Sequence, residues 1–223
     1  MEWQLLAGVP AEDARRLVAI GRRRTFGRGE IVFHQLDPAD SLHLVAGGRF
    51  AVRRTTPLGE DALLAIRGPG SVFGELALVS DGARSATVQA LEPAETLAVY
   101  RTDFDELRRR HPQVDHVLVH MLAQEVRRMD ELLTESYYVS AERRVLRRLL
   151  EVSEAYGGTA PGVEVPLTQE QLAALAGTSR ATVNAVLSAE RRRGALSLRR
   201  GRTTLDDPAA LARHAGLPPA DAR

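Results

Sequence analysis

The chain has 223 residues, 44% hydrophobic and 26% charged, with 30 basic residues, every one an Arg, and a net charge of +1. This is ordinary globular composition, enough for one large or two ordinary domains, and it has no global basic excess, so any nucleic-acid affinity must come from local clustering. The absence of cysteine excludes disulfides, thiolate zinc sites and cysteine-ligated iron–sulfur clusters, and no apolar run approaches the ~18 residues of a membrane span.

The N-terminal stretch MEWQLLAGVPAEDARR carries acids and lacks a long apolar core, so it is not a signal peptide, and a cytoplasmic protein is expected. Residues 3–22 predict one or two short helices, with Pro10 in a first turn, Glu12 and Asp13 after it, and Leu5, Leu6, Val9, Leu17, Val18 and Ile20 packing them on the adjoining sheet. From Thr25 to Tyr100 short apolar runs are cut by GRGE, DPAD, GG, TPLGED, RGPG, SDGA and LEPAE. Turn signals at that spacing predict an all-β roll of about eight strands around a small cavity. Ser41–Val45 and Arg49–Arg53 alternate like half-buried strands, Leu58–Asp61 suits a hairpin tip, and His34 and His43 fall in strands without a pattern.

Within this region Val72 to Val88 reads VFGELALVSDGARSATV. Gly74 allows close backbone approach to a ligand, and the short helical turn Gly74 to Val79 has free N–H groups suited to an anion. Arg84 adds a guanidinium whose fork fits phosphate oxygens, and Ser85 and Thr87 add hydroxyls. A carboxylate, Glu75, beside a phosphate is repulsive unless it accepts hydrogen bonds from the ligand, as vicinal ribose hydroxyls would donate. One phosphate and one ribose held a few ångströms apart describe a cyclic nucleotide; the plainer alternative is a helix-start Glu with a surface Arg.

Thr102–Leu107 opens a helix with acids first and Arg108, Arg109 and Arg110 last, as the helix dipole prefers. A longer helix runs from Pro112 to about Tyr138, with Val114, Leu118, Leu122, Met129 and Leu133 along a seam flanked by Val117, Met121, Val126 and Leu132. These three- and four-residue steps predict helix–helix packing. His116 and His120 lie four apart there but lack a third ligand, so a surface pair rather than a metal site is expected.

After a hinge at Val139–Ser140, residues 142–155 predict a helix with Val145, Leu146, Leu149, Leu150 and Val152 inward, then a Gly-rich loop and a short strand Val163–Pro166. Thr168 and Gln171 form a capping box; Leu172 and Leu175 face inward; Gly177 ends that helix, and Thr178 or Ser179 caps the next, to about Arg191. Two short helices joined by a Gly turn are the helix-turn-helix pattern. On the second, Val183, Val186 and Leu187 share a buried side, while Arg180, Ala181, Asn184 and Ser188 share the other, with Arg suited to guanine and Asn to adenine. Thr168, Thr178, Ser179 and Thr182 suit phosphates. From Arg180 to Arg202 seven Arg stand against one acid, Glu190, the local charge missing from the whole chain. Leu196–Leu205 predicts a two-stranded wing carrying Arg199, Arg200 and Arg202, and residues 206–223 a short helix and a loose tail.

The phrases FGELAL and RSATV resemble the phosphate-binding cassette of cyclic-nucleotide-binding domains, GEIVFHQLDPADSLHLVAGGRFAVRR resembles the first half of the same roll, and LTQEQLAALAGTSRATVNAVL resembles a winged helix-turn-helix. Together they are similar to the cAMP receptor protein and fumarate–nitrate regulator (Crp/Fnr) superfamily of bacterial transcription factors. The resemblance implies an α+β architecture: a sensor β-roll over 1–110, a dimerisation helix over 111–138 and a DNA-binding domain over 139–223. It implies nucleotide contacts at Gly74, Glu75, Leu76, Ala77, Arg84, Ser85 and Thr87. It also implies a homodimer on a pseudo-palindromic DNA operator, RNA polymerase as a further partner, cAMP as effector, and neither prosthetic group nor enzymatic chemistry. Two departures stand out. Leu36 replaces the glycine usual after Gln35, and Leu132 and Leu133 stand where cAMP-responsive members carry a Thr-Ser pair that reaches adenine. A ligand-independent regulator of the same fold is the alternative; haem sensing would have to use His ligands. Ala181, Asn184 and Ala185 replace the Glu, Gly and Arg of the best-known member, so the operator should differ.

Overall fold

The structure is a computed structural model and describes residues 10–57, 61–79 and 82–218. The expected packing of Leu5, Leu6 and Val9, most of the Leu58–Asp61 hairpin tip and the tail after residue 218 lie outside them. The chain forms two compact units; the first ends at Glu131 and the second begins at Leu132, which also gathers Asp61–Leu64.

In the first unit, α1 (Ala11–Ala19) begins after Pro10, which sits at the N-cap rather than inside the first turn. The helix stops at Ala19 and β1 (Arg22–Phe26) starts three residues earlier than the sequence suggests, paired with β8 (Ala94–Tyr100) from Arg22↔Ala98 to Phe26↔Ala94. Among the described residues eight strands match the expected count: β1, β2 (Ile31–Phe33), β3 (Ser41–Gly47), β4 (Phe50–Thr55), β5 (Asp61–Arg67), β6 (Val72–Phe73), β7 (Thr87–Ala90) and β8. They make two four-stranded sheets, β1-β8-β3-β6 and β2-β7-β4-β5. Between the sheets lie Phe26, Val45, Phe50, Phe73 and Val88. On the outer face of the first sheet, Leu42, Leu44 and Val99 pack with Leu17 and with Phe104 and Leu107 of α2 (Arg101–Arg110). Val114, Val117, Leu118 and Met121 close that layer from a 3₁₀ turn (Pro112–Val114) and α3 (Asp115–Tyr138).

The two layers explain why β3 departs from the expected alternation. Ser41 to Val45 are all buried, because the strand has a core on each face. His34 lies just after β2, outside any strand. Leu36 adopts a left-handed φ of 73° and is 77% exposed, so this turn keeps a glycine-type geometry at a cost of about 1–2 kcal/mol.

In the second unit α4 (Ala141–Ala155) is capped by Ser140 and buries Val145, Leu146, Leu149, Leu150 and Val152, as its periodicity predicts. It packs on α5 (Gln169–Ala176), α6 (Arg180–Arg192) and α7 (Pro208–His214). Gly177 ends α5 at φ 57°. The two-stranded wing forms as expected from β10 (Leu196–Arg199) and β11 (Arg202–Leu205), and the short strand β9 (Glu164–Val165) pairs with β11 to give a three-stranded sheet in the order β10-β11-β9. Leu175 is only half-buried, whereas Leu172 is fully inside.

Candidate functional site: a nucleotide cassette and a nucleic-acid interface

The cassette comes directly after β6. Gly74 has a φ of 80° and precedes a 3₁₀ turn, Glu75–Leu78, shorter and tighter than an α-helix. A Cβ at Gly74 would stand 2.8 Å from Arg84 Nη1 and 3.0 Å from the Ser41 carbonyl oxygen. Glycine is therefore required by both conformation and space, and Gly74 and Arg84, ten residues apart, meet as expected.

Arg84 is held by a strap. Its backbone N–H donates to Asp37 O at 2.8 Å, while Leu36 N–H donates to Arg84 O at 2.9 Å, so the loop after β2 is stitched to the segment before β7. The guanidinium turns toward the start of β3. Nη1 donates to Ser41 O at 2.6 Å; Nη2 donates to Ser41 Oγ at 2.9 Å and Asp40 Oδ1 at 3.1 Å. It lies 3.9 Å from the centroid of the Phe33 ring, a cation–π contact, and is 5% exposed. The buried cation is thus met by Asp40, a carboxylate of the same chain that stays largely exposed. Burial depresses its pKa and Asp40 partly restores it.

Behind Arg84, His43 stacks on Phe73 at 5.1 Å, contacts Thr96 Oγ1 through Nδ1 at 3.0 Å, and lies 3.4 Å from Ser41 Oγ through Nε2. Burial, with Arg84 adding repulsion, lowers its pKa to about 3, so it stays neutral beside the cation. Sequence reading gave His43 no role; its place behind Arg84 depends on strand register, which no local pattern displays.

Glu75 faces the other way, into a cavity of about 130 Å³ bounded by Arg67, Ser71, Val72, Met121 and Glu125. Burial raises its pKa above the usual carboxylate range, Glu125 adds to the rise and Arg67 opposes it. Arg67 Nη2 donates to Glu125 Oε2 at 3.3 Å, joining β5 to α3. The other expected contacts are spread out. Leu76 is 44% exposed and Ala77 1%, Ser85 is exposed, and Thr87 Oγ1 accepts from Gln35 N–H at 2.9 Å.

At the other end of the chain, Thr168 and Gln171 close the capping box of α5, and Ser179 caps α6 by accepting from Thr182 N–H. Val183, Val186 and Leu187 are buried. Arg180, Ala181 and Asn184 are exposed, and Thr178, Thr182 and Ser188 are half-buried. Gln169 of α5 donates through Nε2 to Asn184 Oδ1 at 3.4 Å, a link between the two helices that helical spacing within either one cannot reveal. In the wing Arg199, Arg200 and Arg202 are exposed, but Arg202 pairs with Glu164 at 3.1 Å. Glu190, the one acid of the basic segment, is 2% exposed and is met by Arg193 and by His214 Nδ1 at 2.8 Å. Its charge is used inside the fold against Arg193, so the local basic excess rests on the other six Arg, of which Arg202 is shared with Glu164.

The cyclic nucleotide-binding domain model matches residues 23–111, and the Crp-like helix-turn-helix domain model matches residues 143–214. The chain is 36% identical over 207 residues to the cyclic AMP receptor protein of Thermus thermophilus, covering 93% of this chain and 94% of that protein. It is 31% identical over 193 residues to a CRP-like cAMP-activated global transcriptional regulator of Mycobacterium tuberculosis, covering 85% and 86% respectively. A CRP-family transcriptional regulator, also of Thermus thermophilus, is similar in solved structure, with a TM-score of 0.72 at 27% identity over 86% of this chain and 96% of that one.

Proposed function

We propose that this chain, which belongs to the Crp/Fnr family of DNA-binding transcription regulators and is not an enzyme, acts in the cytoplasm as a homodimer whose operator affinity is set by cAMP held in the roll. The observation that carries the reading is the packing of Gly74 on Arg84, where no larger residue fits, with Glu75 opening onto a cavity beside it. Gly74 leaves backbone free for close approach, Arg84 is the phosphate partner, and Glu75 accepts from the ribose 2′-hydroxyl. Two long relatives named for cAMP favour that nucleotide over others.

The cavity is smaller than the ~300–1,000 Å³ typical of small-molecule sites. Arg84 does not line it and is held by Ser41 and Asp40, so in this reading binding draws Arg84 away from both and onto the phosphate. Ligand then shifts an existing equilibrium toward the DNA-binding form.

Dimerisation is assigned to α3, with a corrected seam. Val114 and Leu118 are consumed by the chain's own core. The free apolar stripe is Val119, Leu122, Val126, Met129 and Leu133, in alternating steps of three and four; Val119, Val126, Met129 and Leu133 are 54–64% exposed. We assign residues 1–110 to sensing, 111–138 to dimerisation and 139–223 to DNA binding. Two copies of α6 related by a two-fold axis predict pseudo-palindromic half-sites roughly 34 Å apart. RNA polymerase is the expected further partner.

Calorimetry with cAMP tests this, using Arg84→Ala as control. Saturable binding by the native chain and at least tenfold weaker binding by the variant are expected; no heat with cAMP or cGMP would remove the effector. The second reading, a ligand-independent regulator, is favoured by Leu132 and Leu133 at the expected base-reading positions and by an Arg84 whose Nη1 and Nη2 already bind Ser41 and Asp40. It predicts equal DNA affinity with and without nucleotide.

A further inference from the structure

The missing Thr-Ser pair leaves the base of the proposed ligand without an obvious partner. The cavity beside Glu75 supplies one from other elements. In a cyclic nucleotide the 3′ and 5′ oxygens carry the phosphate, and the base leaves from C1′, the carbon next to the 2′-hydroxyl. A nucleotide with its 2′-hydroxyl on Glu75 must therefore place its base beside Glu75, away from Arg84. The groups there are Arg67, Ser71, Met121 and Glu125.

Arg67 is not fully used by the fold. Nη2 binds Glu125 Oε2 at 3.3 Å, at the long end for such a bond, but Nε is buried and makes no hydrogen bond. A buried unpaired N–H is costly enough to call for an explanation, and a ligand acceptor is one. Glu125 has a further lone-pair capacity on the same pair of oxygens. Arg67 and Glu125 thus present a donor beside an acceptor. The amino edge of adenine presents the complement, a ring nitrogen acceptor beside the 6-amino donor. Met121 offers a polarizable sulfur to the ring face.

We propose that Arg67 and Glu125 read the adenine of the bound nucleotide, Glu125 accepting from the 6-amino group and Arg67 donating to the adjacent ring nitrogen. The inference rests on the cAMP reading above. It makes Glu125, one residue before Val126 of the α3 stripe, a direct contact between ligand and dimer helix.

The test is calorimetry on the full chain with cAMP and with cyclic purine riboside 3′,5′-monophosphate, which lacks only the 6-amino group. Hydrogen bonds to charged groups predict about tenfold or more weaker binding of the analogue by the native protein. In Glu125→Ala the two ligands should bind alike, and in Glu125→Gln, which keeps the side-chain volume, the gap should narrow. Equal affinities in the native protein overturn the proposal without any variant, as does an unchanged gap in folded Glu125→Ala. If the native chain binds neither ligand, the cAMP reading itself has failed; if it binds both alike, only the base assignment has.

Discussion

Arg84 and Asp40 meet at 3.1 Å, one side chain 4% exposed and the other 67%. On the proposed function a phosphate claims the same guanidinium, and ligand and Asp40 would then compete for one cation. Because Asp40 is solvent-exposed, the pair is worth only about 0.2–1 kcal/mol. Asp40→Asn should therefore tighten cAMP binding by up to about fivefold, read by calorimetry at fixed ionic strength. Weaker binding in the variant would make Asp40 a support for Arg84 rather than a competitor.

Glu75 gives the site a pH dependence. Burial raises its pKa above the reference value of 4.5, so the ligand-free fold holds a proton that the unfolded chain has already released. Stability is therefore fully present below pH 4.5, falls as pH rises toward the raised pKa, and above it the buried carboxylate is a standing penalty. Glu75→Gln should melt higher than the native protein at pH 8 and at the same temperature near pH 4. A ribose hydroxyl favours the charged form, so cAMP binding should release a proton and weaken as pH drops through that pKa, while the variant binds weakly and without this slope. Differential scanning calorimetry and titrations in buffers of different ionisation heat measure both.

The α3 stripe predicts the oligomeric state. Val126 and Met129 are each 57% exposed on the monomer, so Val126→Glu with Met129→Glu should leave folding intact and convert a dimer to a monomer in sedimentation equilibrium. Leu118→Glu, at a site 5% exposed, should instead unfold the first unit.

The DNA face divides by chemistry. Arg180→Ala should relax base preference at one position by about 1–3 kcal/mol in a binding-site selection. Arg199→Ala and Arg200→Ala should weaken all sequences alike and lower the salt slope by about one each. Arg202→Ala should do less, because Glu164 already holds part of that charge.

What the residues announced in advance was local. The capping box of Thr168 and Gln171, the left-handed Gly177, the buried side of α6 and the glycine before the cassette are each set by a few neighbouring residues. What they concealed was long-range. Asp40 reaches Arg84 and Arg67 reaches Glu125 only through strand register and helix docking, which leave no periodic trace. The α3 stripe was legible only in part for a related reason: Val114 and Leu118 belong to the core, while Leu122, Met129 and Leu133 do not. Apolar residues cover two faces of that helix, and only the docking of Val117, Leu118 and Met121 on the first sheet decides which face remains free.

The central claim, that a cyclic nucleotide in the roll controls DNA binding, is tested most directly by fluorescence anisotropy of a duplex selected from random DNA by the native protein with cAMP present. The account predicts that its affinity tightens at least tenfold when cAMP is added and that Arg84→Ala abolishes the gain. An affinity unchanged by cAMP and by cGMP would contradict it.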